Sequence, residues 1–483
     1  MAIELMSEKS ISLPEVLGGC PEENAYRTLT LRQKLLFAIL AVITLCSILY
    51  DCFVLDYRTV LFLNAILIVF YVAFMFYKFI LINISIMRSQ EIEVSAEELA
   101  LLKDDDLPVY TILVPLYHET ETFSELIGAI NRLDYPKEKL DVKLLMEEDD
   151  EATIGLSNSL SLGQHFHKIV VPDALPKTKP KACNVGLQEA RGEYLVIYDA
   201  EDRPEPDQLK KAVVAFKRLP NNVACLQAKL NFYNPHQNLL TRWFTLEYST
   251  WFDLYLPGLT AVGAPIPLGG TSNHFKMEVL RKIGGWDPFN VTEDCDLGIR
   301  LHKAGHRTQV LDSTTWEEAC SSLWYWIRQR TRWAKGYMQT LLVHTRNQSK
   351  LLRVFGAKNS VNFYFIFGGT TFCTLINPLY WVLLILWLTF RPTLLTVVFP
   401  GWIMALGLLC LIVGNFVFIY ASAAGALTRK NYDLVKLALV APFYWVLISV
   451  ASWRAVFQLF WNPYYWEKTK HGLFTQSNNE AAT

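Results

Sequence analysis

The stretch Tyr194-Leu195-Val196-Ile197-Tyr198-Asp199-Ala200-Glu201-Asp202, continued by Pro204-Glu205-Pro206, decides the fold. A short apolar run stops abruptly on acids, as a buried strand does on reaching the edge of its sheet. Carboxylates directly after a buried strand are costly unless they face solvent or a cation. Asp199 is therefore expected at the mouth of the sheet. The same theme recurs upstream at Val109–Pro115, Val142–Met146 and Lys168–Pro172. Helical spacing separates these runs at Glu121–Leu133 and again at Cys183–Ala190. Strands alternating with helices predict a parallel α/β sheet. In such sheets the ligand lies beyond the carboxyl ends of the strands, so the chemistry is expected just after these runs.

Outside this region the chain changes character. It has 483 residues, 52% of them hydrophobic, and the apolar ones collect towards both ends. Leu35–Tyr50 and Thr59–Tyr77 carry no charge. Each approaches the ~20 apolar residues of a membrane-spanning helix. Asp51, Asp56 and Arg58 lie between them, Arg27, Arg32 and Lys34 precede them, and Arg88 follows. The positive-inside rule puts both flanks in the cytosol. Asn359–Phe390 is interrupted by Asn377-Pro378 and reads as an interfacial helix followed by a span. Trp402–Ala421 is a further span and Leu437–Trp453 a shorter candidate. Three C-terminal spans would put the tail outside, whereas Arg454, Lys468 and Lys470 favour the inside. The number of C-terminal crossings stays open at this stage.

The expected organisation is a cytosolic N-terminal segment (1–34), two transmembrane helices (35–88), a linker (89–107), a catalytic domain (108–350), interfacial and transmembrane helices (351–461) and a tail (462–483). A formal net charge of −1 points away from a nucleic-acid binder. The nine cysteines (20, 46, 52, 183, 225, 295, 320, 373 and 410) form no Cys-x-x-Cys pair, so free thiols are expected rather than disulfides or zinc. No cleavable signal peptide is read before the first apolar run.

Four elements carry candidate chemistry: Glu147-Glu148-Asp149-Asp150, Asp199-Ala200-Glu201-Asp202, Thr292-Glu293-Asp294 and Gln329-Arg330-Thr331-Arg332-Trp333. Hard divalent cations take oxygen ligands from one or two carboxylates plus phosphates. Asp199 and Glu201, two residues apart, suit a metal that also holds a diphosphate. Taken singly, each acidic cluster has an alternative reading as a solvated turn.

As an ordered set the four resemble the family 2 glycosyltransferases, in the membrane group that includes cellulose and hyaluronan synthases. The resemblance covers roughly residues 108–340 and fits the flanking helices. It implies a GT-A-type, Rossmann-like cytosolic domain plus transmembrane α-helices, in a multi-pass protein of a cell membrane such as the bacterial inner membrane. Val114-Pro115-Leu116-Tyr117-His118-Glu119 is similar to the opening strand and nucleotide-binding turn, which makes Pro115, Tyr117 and Glu119 donor contacts. Glu147, Glu148 and Asp149 share the place of the base-contacting acids, with glutamates where aspartates are usual. Asp199-Ala200-Glu201 stands at the Asp-x-Asp metal motif, ending in Glu. Thr292-Glu293-Asp294 resembles Thr-Glu-Asp, which makes Asp294 the general base with Glu293 beside it. Gln329, Arg332 and Trp333 match Gln-x-x-Arg-Trp, and Gly284-Gly285-Trp286 upstream strengthens the match. Pro267–Phe275 and Tyr465–Gly472 are similar to the transferase portion of the bacteriophage N4 adsorption protein B group.

The resemblance implies Mg²⁺ or Mn²⁺ on Asp199 and Glu201 and a nucleotide-sugar donor, a UDP-sugar. Arg332 supplies a fixed cation, with Lys177, Lys179 and above all Lys181 as further phosphate candidates. Trp333 is expected to stack on the acceptor. His274 is a candidate contact, with a satisfied core histidine as the bland alternative. Trp324 and Trp326 read as interfacial anchors. The implied reaction is inverting transfer to a growing β-linked polysaccharide. Two alternatives are transfer of a single sugar to a membrane lipid and a non-catalytic receptor or scaffold. Partners expected are the donor, a glycan or lipid acceptor, membrane lipid, and envelope or export proteins. No PilZ-like motif follows the helices.

Overall fold

The computed structural model describes residues 23–54, 57–88 and 90–467. Cys20, Asp56, Lys468, Lys470 and the end of the 465–472 stretch lie outside them. All eight described cysteines are free.

One nine-stranded sheet forms the centre of the domain. Its strands are β1 (Glu91–Ile92), β2 (Tyr110–Leu116), β3 (Leu140–Glu147), β4 (Phe166–Val171), β5 (Tyr194–Ile197), β6 (Arg203–Pro204), β7 (Val223–Phe232), β8 (Asn273–Lys276) and β9 (Arg307–Glu317). The order is β1-β9-β7-β8-β5-β2-β3-β4, with β6 on β9. β2, β3, β4 and β5 are the four runs read from sequence, and they pair in parallel. The chain order reverses between β2 and β5, which opens a crevice at their carboxyl ends. β8 runs antiparallel between β5 and β7. Its strand direction lets the preceding loop, 267–272, fold back over that crevice.

Two long helices precede the domain, α1 (Leu31–Val54) and α2 (Arg58–Met87). Within the domain, α3 (Lys179–Gln188), α4 (Leu239–Thr250), α5 (Glu293–Lys303) and α6 (Leu323–His344) surround the crevice. The C-terminal helices are α7 (Thr370–Phe390), α8 (Gly401–Thr428) and α9 (Ala441–Trp461). Among the described residues five helical segments are long and apolar enough to cross a membrane.

The break expected at Asn377-Pro378 is elsewhere. The helical path bends at Gly356, whose φ of 69° and ψ of 172° are non-helical, and then runs on through Pro378. A proline inside a membrane helix is tolerated when neighbours meet the freed backbone groups. Beside it the Tyr71 hydroxyl lies 2.9 Å from the Cys373 carbonyl, one residue before the carbonyl that Pro378 leaves unpaired, and also reaches Asn377. The Trp326 anchor is also corrected. It is fully buried against Tyr444 and Arg330, whereas Trp324 is exposed.

Glycines let helices and domain approach closely. A Cβ at Gly258 would meet the Leu81 carbonyl oxygen at 2.4 Å, and one at Gly425 would meet the Thr250 amide nitrogen at 2.8 Å. Both ends of the described residues are tied to the domain that holds the sheet. Ala25 N donates to Asp287 (2.6 Å), and Glu23 pairs with Lys350 (2.7 Å) and Lys303 (3.1 Å). Beyond α9, Lys335 of α6 donates to the Asn462 and Tyr465 carbonyls at 3.2 and 2.9 Å, and Arg454 forks onto Glu467 at 2.6 and 2.7 Å.

Candidate active site

The Asp199 turn is stapled to the 267–272 loop. Asp202 accepts from Asp199 N at 2.7 Å and meets the Thr271 hydroxyl, which also reaches the Ile197 carbonyl at 2.9 Å. Burial, then repulsion from Asp199 and Glu201, pushes the Asp202 carboxyl well above its ordinary range. Glu317, at the end of β9, is raised in the same way by burial and by Asp202, Glu201 and Asp199. Negative charge is thus concentrated around Asp199 and Glu201.

The described cation there is Lys179, at the start of α3. Its ammonium pairs with Asp199 and donates to the Gly270 carbonyl at 2.7 Å. Burial opposes its charge, but Asp199 and Glu293 hold its pKa above the usual lysine value. Lys181 does something else. It is buried on Glu147 (2.7 Å) and on the Pro172 and Ala174 carbonyls (both 3.0 Å). Two residues, about half a helical turn, separate a lysine facing the crevice from one bracing its floor.

Glu293 and Asp294 open α5, where the helix N-terminus favours negative charge. Burial pushes Asp294 up to about 6, opposed by Lys179 and Arg332. Burial plus repulsion from Asp294 raises Glu293 to about 8. Two adjacent acids pushed apart in this way divide into an ionised and a protonated partner near neutrality. A Cβ at Gly270 would lie 3.7 Å from Asp294 Oδ2 and 4.0 Å from Lys179 Nζ, so the 267–272 loop brings the two together.

α6 supplies Gln329, Arg332 and Trp333. Gly336 sets its depth, since a Cβ there would meet the Thr292 hydroxyl oxygen at 2.2 Å. Arg332 is overlaid by Trp466 at 4.5 Å, and its Nε has no hydrogen-bond partner among the described residues. The Gln329 Oε1 is likewise buried and unpaired among them. An arginine held flat with unused donors is suited to phosphate oxygens. Trp333 is backed by the Arg330 guanidinium at 4.4 Å, itself fixed by Glu247 (2.7 Å) and Tyr444 (3.0 Å).

These groups line one cavity of about 1060 Å³. Pro115, Tyr117, Glu119, Glu147, Asp199, Glu201, Glu293, Asp294, Gln329, Arg332 and Trp333 all face it. From Trp333 it continues between the apolar helices, past Phe74, Met75, Lys78, Thr374, Leu411 and Phe418. Glu148, Asp149, Lys181 and His274 are not in its wall. Glu148 accepts from Asp173 N (2.9 Å), and Asp149 pairs with Lys177 (2.6 Å). His274 is fully buried between the Tyr110 hydroxyl (2.7 Å) and Gln208 (3.2 Å), so its place is the bland one, a satisfied core histidine. Sequence reasoning missed Glu317 and Trp466. Lys179 was visible as part of a basic turn, but only its helix phase distinguishes it from Lys181.

Among the described residues no group of three His, Cys, Asp or Glu side chains is arranged to hold a metal. A divalent cation would take Asp199 and Glu201, with remaining positions left to donor oxygens.

Comparison with known proteins bears on the family. The description "Glycosyl transferase family 2" matches residues 111–276, and "Glycosyl transferase family group 2" matches residues 194–428. The chain is 27% identical over 251 residues to "Probable glycosyltransferase YdaM" of Bacillus subtilis (strain 168), covering 51% of this chain and 60% of that protein. It is 29% identical over 240 residues to "Probable glucomannan 4-beta-mannosyltransferase 7" of Oryza sativa subsp. japonica, covering 48% of this chain and 41% of that one. The matched segment therefore spans less than two thirds of either relative. A mannosyltransferase from Pyrobaculum calidifontis, solved with GDP-Man and Mn²⁺, aligns with a TM-score of 0.47 at 17% identity, covering 82% of this chain and 99% of that chain. The two family matches overlap and together run from residue 111 to residue 428, and the chain therefore carries a glycosyltransferase family 2 domain.

Proposed function

We propose that this protein is an inverting membrane glycosyltransferase that moves a sugar from a nucleotide-diphosphate donor to the hydroxyl of a lipid or lipid-linked acceptor. One observation carries the reading: a single cavity joins Asp294 to the space between the membrane helices, and the membrane arm is mostly apolar. The donor occupies the crevice by Tyr117 and Asp199. Asp294 takes the proton of the acceptor hydroxyl as that oxygen attacks the anomeric carbon. Arg332 and Lys179 hold the diphosphate as its negative charge develops. A divalent cation on Asp199 and Glu201 would add Lewis-acid stabilisation of the leaving group. One displacement from one base inverts the anomer.

A second reading, extension of a β-linked polysaccharide, is favoured by the indoles of Trp243, Trp251, Trp333 and Trp445 along the same cavity. Product analysis separates the two. The purified chain, in vesicles of total lipid from its own cells, is given radiolabelled UDP-sugars or GDP-mannose with Mg²⁺ or Mn²⁺. Our reading predicts label in the organic-soluble fraction. Label confined to ethanol-insoluble polymer would replace it with the second reading, and no incorporation from any donor would contradict both.

The ties at the chain ends bear on topology. Residues 23–27 contact the catalytic domain, and so do residues 462–467. Arg429, just after α8, bonds Asp253 (2.6 Å) and Thr314 (2.9 Å) of the domain. α9 thus starts and ends on the domain's side, with Tyr444 on Glu247 and Gln458 near Lys335. It contains the most buried window of the five candidates, at 33%. We assign it as interfacial, which leaves four crossings and puts the domain and residue 462 together in the cytosol. This removes the parity conflict seen in the sequence. Cysteines introduced as Glu97→Cys and Asn462→Cys should both react with a membrane-impermeant thiol reagent only after cells are opened. Labelling of Asn462→Cys in intact cells would contradict the assignment.

A further inference from the structure

Between Arg58 and Arg88 the chain has one charged residue, Lys78. At 1.5 Å per residue Lys78 stands about 30 Å from Arg58, the thickness of a bilayer's hydrocarbon core. It therefore lies at headgroup depth, on the side of the catalytic domain. A lysine at that depth ordinarily snorkels outward to water. This one faces the cavity instead, and its ammonium overlies the rings of Phe74 (5.1 Å), Tyr255 (5.2 Å) and Phe418 (5.3 Å), which line the cavity with it.

Among the described residues no carboxylate or carbonyl pairs with Lys78. The carboxylate whose charge reaches it is Glu247, already shared by Arg330 and Tyr444. Aromatic faces offset part of the cost of a desolvated ammonium, but they leave its three N–H donors without full acceptors. The Tyr255 hydroxyl is also buried without a hydrogen-bond partner among the described residues. An ammonium without an acceptor among the described residues thus stands in an apolar arm that leads to Asp294. A lysine at that depth that turns into an apolar cavity instead of snorkelling to water calls for an anionic partner there.

We infer that the acceptor carries an anionic, phosphate-type headgroup, and that Lys78 binds it while the acyl or prenyl chain lies between the helices. The inference rests on the lipid-acceptor reading above and narrows it to a phospholipid or lipid phosphate. Free phosphate offers the same oxygens. The apolar surroundings of Ile68, Met75 and Ile82 favour the lipid source.

Calorimetric titration of the full chain in uncharged detergent tests this, with UDP and Mg²⁺ present to fill the donor crevice. The probes are dodecyl phosphate, dodecanol and inorganic phosphate. Dodecyl phosphate should bind about tenfold more tightly than dodecanol, the factor given by one charge-assisted hydrogen bond of ordinary strength. Inorganic phosphate at the same concentration should not displace it. Lys78→Met and Lys78→Gln should both bind the two dodecyl probes equally, while Lys78→Arg keeps the preference. Retained UDP binding shows that each variant is folded. Equal binding of phosphate and alcohol by the parent chain, or a preference that survives in a folded Lys78→Met or Lys78→Gln, would overturn the anion site and leave the lipid reading standing. Displacement by inorganic phosphate would overturn the lipid source. Binding of neither dodecyl probe would contradict the lipid-acceptor reading itself.

Discussion

Asp294→Asn should lower turnover by roughly two to four orders of magnitude, the usual range for general-base catalysis, while nucleotide affinity stays near that of the parent. The substitution separates the base from a competing role. Asp294 lies in the first turn of α5, where an acid also stabilises the helix N-terminus. The N-cap itself is Thr292, so the change removes only a charge at the helix end, worth about 0.3–1 kcal/mol, and a purely structural residue would tolerate it. A base would not, because the amide cannot take a proton. The pair Glu293 and Asp294 adds a pH signature. Burial raises Asp294 to about 6 and Glu293 to about 8. The base works ionised, so the rate should fall as pH drops through an apparent value near 6, which belongs to the pair. Near-parental turnover in Asp294→Asn would end the assignment.

Asp199→Asn should remove the stimulation of UDP binding by Mg²⁺ or Mn²⁺ and lower transfer by roughly a hundredfold or more, the scale seen when one preorganised electrostatic contact to developing charge is lost. The change deletes one of the two carboxylates offered to the cation and releases Lys179 from its ion pair. A freed Lys179 can still bind phosphate, so some metal-independent UDP affinity should remain. The two contributions separate by titrating UDP with and without EDTA. UDP affinity that responds neither to EDTA nor to the substitution would contradict the metal assignment.

How much of this was legible in the residues follows from what each one faces. β2 to β5 were readable because they are short apolar runs ended by turns or acids, and the parallel sheet follows from them. β7 was not readable. All ten of its residues are buried, yet Gln227, Lys229 and Asn231 interrupt its apolar pattern. Those side chains are tolerated because each finds a partner, such as Lys229 on Glu91 (2.8 Å) and Asp312 (2.5 Å). The motif residues Asp199, Asp294, Arg332 and Trp333 could be picked out because their order and intervals are distinctive. Glu317 could not, since an acid at the end of a strand looks like any solvated turn until the Asp199 turn is placed beside it. Lys179 and Lys181 differ only in helix phase. α9 read as a candidate span and is one of the five found among the described residues; the cover that α6 gives it was not legible, because composition reports apolarity and not what covers it.

The central claim is that the acceptor reaches Asp294 through the membrane arm of the cavity. Thr374→Trp tests it most directly, because Thr374 lines that arm on α7 and contacts no donor residue described above. A bulky indole there should obstruct the acceptor and leave the donor crevice alone. Sugar transfer to membrane acceptors is predicted to fall by about a hundredfold, the cost of misplacing a reacting group by about an ångström. UDP binding and slow hydrolysis of the donor by water should persist. Undiminished transfer by a folded Thr374→Trp protein would show that the acceptor arrives by another route and would contradict the account.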